Sequence, residues 1–201
     1  MSRELFDQAL QAAQSFHASN PALSGFQPWP DDITWADRAS MPAPCMDLVQ
    51  TQAGDTACTH SHASETLALQ QAITALAPHV EWRLTYTEEE VGVDFLGRFG
   101  WFELVGPTGH FHSTQARMTV GYWGDGLYYP WHEHEPEELY SILSGRAEFA
   151  AEGEDTLTLR PGDTRLHASL QPHAMTATDQ PILCFVLWRG EGLADDPRMA
   201  A

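Results

Sequence analysis

The stretch from Gly126 to Gly145, GLYYPWHEHEPEELYSILSG, constrains the fold more than any other part of the chain. It fixes five residues at the spacing G-x5-H-x-H-x3-E-x6-G, and a chance match to all five is on the order of one in several thousand. Side chains two apart on a strand face the same way, so His132 and His134 should share a face. Pro136 cannot donate to a strand ladder and predicts a bend.

A second strand is expected just past this bend, in the segment LYSIL. Glu138 and Tyr140 lie two apart at its start and should share a face. Two strands joined by a bend can therefore aim His132, His134, Glu138 and Tyr140 into one space. Two imidazoles and a carboxylate suit a borderline divalent transition metal such as Zn, Fe, Ni, Co or Mn.

A second stretch, LRPGDTRLHASLQPHAM from Leu159 to Met175, offers a further ligand. A turn at residues 161–163 is expected to start a new strand, because Pro, Gly and Asp favour turns. Two histidines follow this turn, His167 and His173. The residues alone leave both open as the fourth ligand.

The chain from Val80 onward has the pattern of a β-rich domain. Short runs with β-branched or aromatic content are separated by Gly, Pro and Asp turns, and seven or eight strands at this spacing predict a barrel or sandwich. The runs are EWRLTYT, GWFELVG, ARMTVGYW, LYSILSG, RAEFAAE, DTLTLR, TRLHASL and ILCFVLW.

The two histidine-containing stretches together resemble the two-motif signature of cupins, which are small jelly-roll (double-stranded β-helix) barrels. Residues 85–192 resemble, more narrowly, the cupin-type dimethylsulfoniopropionate (DMSP) lyases. The Tyr-Pro before the histidines and the tyrosine two after the glutamate distinguish this family from other cupins. The matching residues are Val105-Gly106-Pro107, Tyr128-Tyr129-Pro130, His132, His134, Glu138, Tyr140, Pro172-His173-Ala174-Met175 and Leu187-Trp188-Arg189-Gly190.

The resemblance implies a ligand set for one divalent transition metal ion per chain. It assigns His132, His134 and Glu138 as ligands and favours His173 over His167 as the fourth, because a histidine introduced by a proline recurs at that place in the cupin pattern. The metal itself stays open among Zn, Fe, Mn, Co and Ni, since three histidines and a glutamate suit each of them.

The resemblance also implies a reaction, in which DMSP is cleaved to dimethyl sulfide and acrylate by β-elimination. Tyr140 would be the general base, although a tyrosine in a strand is commonly just a barrel-lining aromatic. Tyr129 would line the substrate pocket, and Tyr128 beside it should face the other way in a regular strand. The substrate is a small zwitterion with a carboxylate and a sulfonium, and aromatic faces are expected to hold the sulfonium.

Two other kinds of function are compatible with the same residues. Oxygenases, isomerases and other lyases acting on a different small carboxylic acid can use the same four ligands, because a fold does not fix a function. A non-catalytic, ligand-binding cupin is the second alternative. A regulator of that kind should carry a basic recognition helix, whereas the N-terminal helices are acidic or neutral.

The composition excludes several partners. Net charge is −18 and all ten basic residues are arginine, so nucleic acid and anionic membranes should be repelled.

The three cysteines, Cys45, Cys58 and Cys184, form no CxxC pair and fit a reducing compartment. The first residues lack the continuous apolar core of a signal peptide, and no run approaches a membrane span, so a cytoplasmic protein is expected. Cupins are often dimers, so a homodimer stays open beside a monomer.

The N-terminal third is expected to be a helical layer on the barrel. A helix over residues 2–18, an irregular connector over 20–47, a loop over 50–60 and a helix over 64–78 are predicted. The domains are therefore an N-terminal region at 1–79, a barrel at 80–192 and a tail at 193–201. Trp131 and Cys184 are expected in the core, and His110 is expected at the surface.

Overall fold

The computed structural model describes residues 2–52 and 63–200. Two predicted helices are confirmed, with small differences in their bounds, and a 3-10 turn at Ala77–His79 follows the second. The helices are α1 (Ser2–Ser19), α2 (Pro21–Phe26), α3 (Met46–Gln52), α4 (Ala63–Leu76) and α5 (Glu88–Arg98).

The strands form two facing sheets, as the jelly-roll prediction requires. The strands are β1 (Thr34–Trp35), β2 (Phe99–Gly106), β3 (Phe111–His112), β4 (Arg117–Trp123), β5 (Tyr128–Glu133), β6 (Glu137–Ser144), β7 (Ala147–Ala151), β8 (Leu157–Leu159), β9 (Thr164–His167), β10 (His173–Ala177), β11 (Ile182–Arg189) and β12 (Arg198–Met199). One sheet has the order β1-β3-β2-β4-β11-β6-β9 and the other β12-β5-β10-β7-β8. The fold is a mainly β cupin barrel with an N-terminal helical extension.

Strand β11 lies between two hydrophobic cores, which explains its continuous apolar sequence ILCFVLW. Its odd-numbered positions from Leu183 to Leu187 pack with residues of α1 and α4 on the outside of the seven-stranded sheet. Its even-numbered positions from Ile182 to Trp188 face the barrel interior. A strand buried on both faces has no polar face to alternate with.

The N-terminal helices form a layer over the outer face of the seven-stranded sheet. A stripe at helical spacing, Phe6, Ala9, Ala13 and Phe16, is buried along one side of α1. The same outer core includes Leu69, Ile73 and Leu76 of α4. This layer supports the strands whose opposite face carries the functional residues.

The connector between α1 and α3 is irregular, as predicted, apart from α2 and the two-residue strand β1. Asn20 caps this short helix by accepting a hydrogen bond from the amide of Ala22. Trp29 and Trp35 pack against the outer core, so the connector lies on the barrel rather than in solvent. In the segment predicted as a loop, residues 50–52 end α3, and residues 53–60 lie outside the described part of the chain.

The first predicted strand, EWRLTYT, is wrong, and helix α5 was not expected. In place of a strand, this segment makes isolated β-bridges, from Arg83 to Trp101 and from Glu81 to Met41. The chain then turns at Thr85, which has a positive φ of 61°. Thr87 begins α5 through a capping box with Glu90, a signal that was present in the sequence.

Two single-residue expectations are also wrong. Trp131 is 40% exposed, on the face of β5 opposite to that of its neighbour His132. His110 is only 1% exposed. Its Nε2 accepts a hydrogen bond from the amide of Glu81 at 3.0 Å, and its ring lies 4.5 Å from that of Phe6 in α1.

Cys184 is fully buried, as predicted, and Cys45 is buried too; both carry free thiols, whereas Cys58 lies outside the described residues. Among residues 2–52 and 63–200, each helix is too short or too polar to cross a membrane.

Candidate active site

A bulge in β5 determines which tyrosine reaches the interior. His132 pairs with His173 and Tyr129 pairs with Met175. Between these two pairs β5 advances three positions and β10 advances two, so β5 has one extra residue. The extra residue lies beside Pro130, which cannot donate to the ladder. Tyr129 consequently shares a face with His132, and their rings stack at 3.8 Å. Tyr129 is 4% exposed and Tyr128 is 49% exposed.

Three predicted ligands converge on one point inside the barrel. The Nε2 atoms of His134 and His173 each lie 3.1 Å from Oε2 of Glu138. All three side chains are buried, and their potential ligand atoms lie within 4.8 Å of one another. These residues come from three different segments: His134 directly follows β5, Glu138 lies at the start of β6 and His173 at the start of β10.

Backbone hydrogen bonds of the three histidines leave Nε2 as the potential ligand atom of each ring. Nδ1 of His132 donates to the carbonyl of Pro130 at 2.8 Å, and Nδ1 of His173 donates to that of Gln171 at 2.8 Å. Nδ1 of His134 donates in the same way, to Pro136, at 2.9 Å. Because a carbonyl only accepts, Nδ1 carries a proton in each ring, and Nε2 is the nitrogen left to bind a cation. This donor set fits a divalent transition metal.

His132 lies beside this cluster rather than within it. Its ring centroid is 4.1 Å from that of His173 and 6.4 Å from that of His134. It is 1% exposed. The structure therefore brings three of the four predicted ligands into one set and places the fourth against it.

The pKa shifts of Glu138 and His132 favour metal binding. Burial would raise the pKa of Glu138, but His134 and His173 hold it well below its usual range. Burial, and then the neighbouring His173, lower the pKa of His132 well below its ordinary value. An anionic carboxylate and neutral imidazoles are the forms that bind metals.

His167, the competing candidate for the fourth ligand, is buried inside the barrel but lies outside the ligand set. Its ring stacks on that of His173 at 4.1 Å with an interplanar angle of 11°. It is fully buried, and neither ring nitrogen has a hydrogen-bond partner among the described residues. Burial lowers its pKa to about 3, so the ring is neutral. The stack restricts the rotation of His173.

An aromatic cavity, partly open to solvent, adjoins the cluster. Its polar lining includes Glu138, Tyr140 and Arg117. Its apolar walls are formed mainly by aromatic rings, those of Phe99, Trp101, Trp123, Tyr129 and Trp188. Such walls suit a cationic group, because cations bind the negative faces of aromatic rings.

Tyr140 is buried between the cavity and the histidines. Its ring lies 5.2 Å from Phe149 and 5.8 Å from His167. Burial, and then the charge of Glu138, raise its pKa well above the usual value of a phenol. Without a cation nearby, the side chain is therefore a neutral phenol.

Two residues that sequence reasoning did not assign to the site contact its members directly. The hydroxyl of Tyr86 is 2.6 Å from that of Tyr129. Nε1 of Trp188 donates to Oε1 of Glu138 at 2.7 Å. Trp188 stands in the last segment of the family resemblance, which was a signal for it. Tyr86 lies in the segment mistaken for a strand, so nothing indicated its place.

Known DMSP lyases are similar to this protein over nearly the whole chain. The DMSP lyase family matches residues 47–184. The curated DMSP lyase DddQ of Ruegeria pomeroyi is 38% identical over 186 residues, which cover 92% of this chain and 90% of that protein.

Among the solved structures that match, two DMSP lyase structures cover nearly the whole chain. One, described as the DMSP lyases RdDddP and RnDddQII, has a TM-score of 0.94 and 49% identity, with 100% of both chains covered. The other, DddQ from Ruegeria pomeroyi DSS-3, has a TM-score of 0.88 and 36% identity over 98% of this chain and 96% of that one. The chain belongs to the DMSP lyase family.

Proposed function

We propose that this protein is a metal-dependent carbon–sulfur lyase that cleaves DMSP to dimethyl sulfide and acrylate. The observation that carries the proposal is the cluster of His134, Glu138 and His173 beside an aromatic cavity that also exposes Tyr140, in a chain of the DMSP lyase family. A carboxylate-binding cation next to aromatic walls matches the two charges of DMSP.

The metal site we propose holds one divalent ion per chain on His132, His134, Glu138 and His173. When bound, a Zn, Fe, Mn, Co or Ni ion supplies Lewis-acid stabilisation of the negative charge that develops at the substrate carboxylate. His132 would complete the set; its ring lies 4.1 Å from that of His173.

Tyr140 is the proposed base. It would remove a proton from the carbon next to the carboxylate; the electron pair of that C–H bond forms the double bond of acrylate. The C–S bond breaks with its electrons on sulfur, so dimethyl sulfide leaves neutral and needs no acid. Burial raises the pKa of Tyr140, and a nearby dication would lower it by favouring the phenolate.

Tyr129 is proposed to line the substrate pocket and position the substrate against Tyr140. Its ring stacks on His132, and its hydroxyl bonds to that of Tyr86 at 2.6 Å. The sulfonium would lie against the aromatic walls, where cation–π attraction replaces part of its hydration.

The proposed location is the cytoplasm, where reducing conditions suit the free thiols of Cys45 and Cys184. Cell fractionation tests the location, and light scattering of the purified protein decides between a monomer and a homodimer.

Deuterated substrate tests whether removal of the proton limits the rate. DMSP carrying two deuterons on the carbon next to the carboxylate gives acrylate with one deuteron by any elimination, so the rate is the readout, and we expect it to be lower than with unlabelled DMSP. Equal rates for the two substrates would contradict rate-limiting proton removal by the proposed base.

A further inference from the structure

We propose that Arg117 is a positioning residue of the metal centre, which orients the carboxylate of Glu138 by holding the indole of Trp188. The inference rests on the metal site of the proposed function, but not on its substrate. Arg117 is 2% exposed, lies at the start of β4 and lines the same cavity as Glu138.

The first step is the dependence of Glu138 on Trp188. One carboxylate oxygen, Oε2, lies between Nε2 of His134 and Nε2 of His173. The other, Oε1, accepts from Nε1 of Trp188 at 2.7 Å. This bond fixes the plane of the carboxylate about its side-chain axis. Partners of this kind orient metal ligands and tune their affinity.

The second step is the contact of Arg117 with Trp188. The guanidinium carbon of Arg117 lies 4.6 Å from the centroid of the Trp188 ring and 4.8 Å from that of Trp101. The indole of Trp188 also lies 4.2 Å from the ring of His134. Trp188 is therefore packed against both a ligand and the guanidinium, and a shift of the guanidinium would release it.

The third step is the anchoring of Arg117 itself. Its Nε lies 3.2 Å from a carboxylate oxygen of Glu103, which is also buried. Its Nη1 donates to the carbonyls of Asp195 at 2.6 Å and Leu193 at 3.3 Å. Glu103 is held in turn by the amide and hydroxyl of Thr108, at 2.8 and 2.7 Å. The guanidinium is thus fixed on several sides.

The chemistry of this position points to orientation rather than to stability. A buried ion pair is costly, and apolar residues of similar volume often stabilise a fold as well or better. A planar guanidinium can stack on an indole while it donates in its own plane, which a lysine ammonium cannot do. Arg117→Lys therefore keeps the charge opposite Glu103 and removes the stack on Trp188.

The control variant is Arg83→Lys. Arg83 also approaches Glu103, at 3.4 Å, and lies 5.1 Å from the centroid of the Trp101 ring. It is thus part of the same ion-pair network, but its recorded ring contact is with Trp101 and not with Trp188. A general effect of weakening the network would appear in both variants.

The experiment measures Co(II) affinity by chelator competition, together with the visible spectrum of the Co(II) protein, which reports ligand geometry. We expect Arg117→Lys to bind Co(II) about tenfold more weakly or worse, with an altered spectrum, and Arg83→Lys to match the wild type. Trp188→Phe should show a similar loss, and the double variant with Arg117→Lys should bind no more weakly than Trp188→Phe alone. Thermal unfolding of metal-free proteins checks that each variant folds.

Two results would overturn the inference: wild-type affinity and spectrum in Arg117→Lys, or losses that add fully in the double variant. If Arg117→Lys does not fold, the pair Glu103→Gln with Arg117→Met takes its place, because it leaves no buried lone charge. The same tenfold loss is expected there, and unchanged affinity would overturn the inference.

The results distinguish a failure of this inference from a failure of the proposed function. Wild-type protein that binds Co(II) but does not cleave DMSP, with weakened binding in Arg117→Lys, removes the substrate assignment and supports the inference. Active wild-type protein with unaltered Co(II) binding in Arg117→Lys removes the inference alone. Wild-type protein that binds no metal overturns both.

Discussion

Tyr140 and Glu138 face the same cavity, and their environments assign them opposite protonation states. Glu138 is held as an anion by the histidines, whereas burial keeps the phenol of Tyr140 protonated in the absence of a cation. A bound dication would therefore change the state of Tyr140 more than that of Glu138. Tyr140 is therefore expected to act as a base, in its phenolate form, only when the metal site holds its ion.

Replacing Tyr140 by Phe removes the proposed base and leaves the ligands in place. We expect kcat to fall by about 10²- to 10⁴-fold, the usual contribution of a positioned base, with unchanged metal content. Steady-state kinetics with metal analysis checks this. Tyr128→Phe, on the exposed neighbour of Tyr129, is the matched control and should keep full activity. A metal-loaded Tyr140→Phe protein with the wild-type rate would rule out the base assignment.

Tyr86→Phe tests the hydroxyl pair at the cavity wall. The variant leaves the buried hydroxyl of Tyr129 without its partner at 2.6 Å. An unsatisfied buried hydroxyl costs about 1–3 kcal/mol, so we expect the free energy of unfolding to fall by about that amount. Urea unfolding of the metal-free protein measures it. A loss below the error of the measurement would mean that water or another group takes the place of Tyr86.

The same residues show where sequence reasoning works and where it stops. Strict alternation in β5 would place Tyr129 on the opposite face from His132, yet the bulge beside Pro130 puts them together. The inward position of Tyr129 was expected only because the family resemblance favoured it. The stack of His167 on His173 was not predictable, because it depends on how two strands distant in sequence meet.

At the scale of elements, the sequence predicted the barrel well because its strands are short, apolar and separated by turn residues. The failures lie where a local signal competed with another. EWRLTYT has strand composition, but Thr87 and Glu90 immediately after it form a helix cap. The contacts of Trp188 with Glu138 and Arg117 join three separate strands, and no local pattern reports such a contact.

The interface between α1 and the barrel should weaken in acid because of His110. Burial lowers the pKa of this histidine to about 4, against about 6.5 for an unfolded chain. The fold therefore favours the neutral ring, and the unfolded state binds more protons between these two values. Stability should fall as pH decreases from about 6.5 through 4.

Urea midpoints of metal-free protein across this range measure the effect. The charged neighbours, Glu81, Arg38 and Arg83, act on His110 with both signs and are weaker than burial. His110→Gln should flatten part of the pH dependence, whereas His112→Gln, on the exposed neighbour, should leave it unchanged. The same slope in all three proteins would show that His110 does not contribute.

For the whole molecule, the charge of −18 predicts a fold that is stabilised by salt. Self-repulsion of excess acidic groups destabilises the compact state, and added salt screens it over a Debye length of about 10 Å at 0.1 M. The melting temperature of the metal-free protein should therefore rise as NaCl increases from about 10 mM to about 0.5 M. Sucrose at matched osmolality is the control, and an unchanged or lower melting temperature in salt would contradict the prediction.

The central claim, that this barrel is a metal-dependent DMSP lyase, is tested most directly by headspace analysis. Purified protein is reloaded separately with Zn, Mn, Fe(II), Co and Ni, incubated with DMSP and assayed for dimethyl sulfide, with Glu138→Gln as the matched control. We predict turnover of about 1 per second or more at saturation with at least one metal, as is typical of enzymes, and little in the control. No dimethyl sulfide with any metal, from protein shown to hold its ion, would contradict the account.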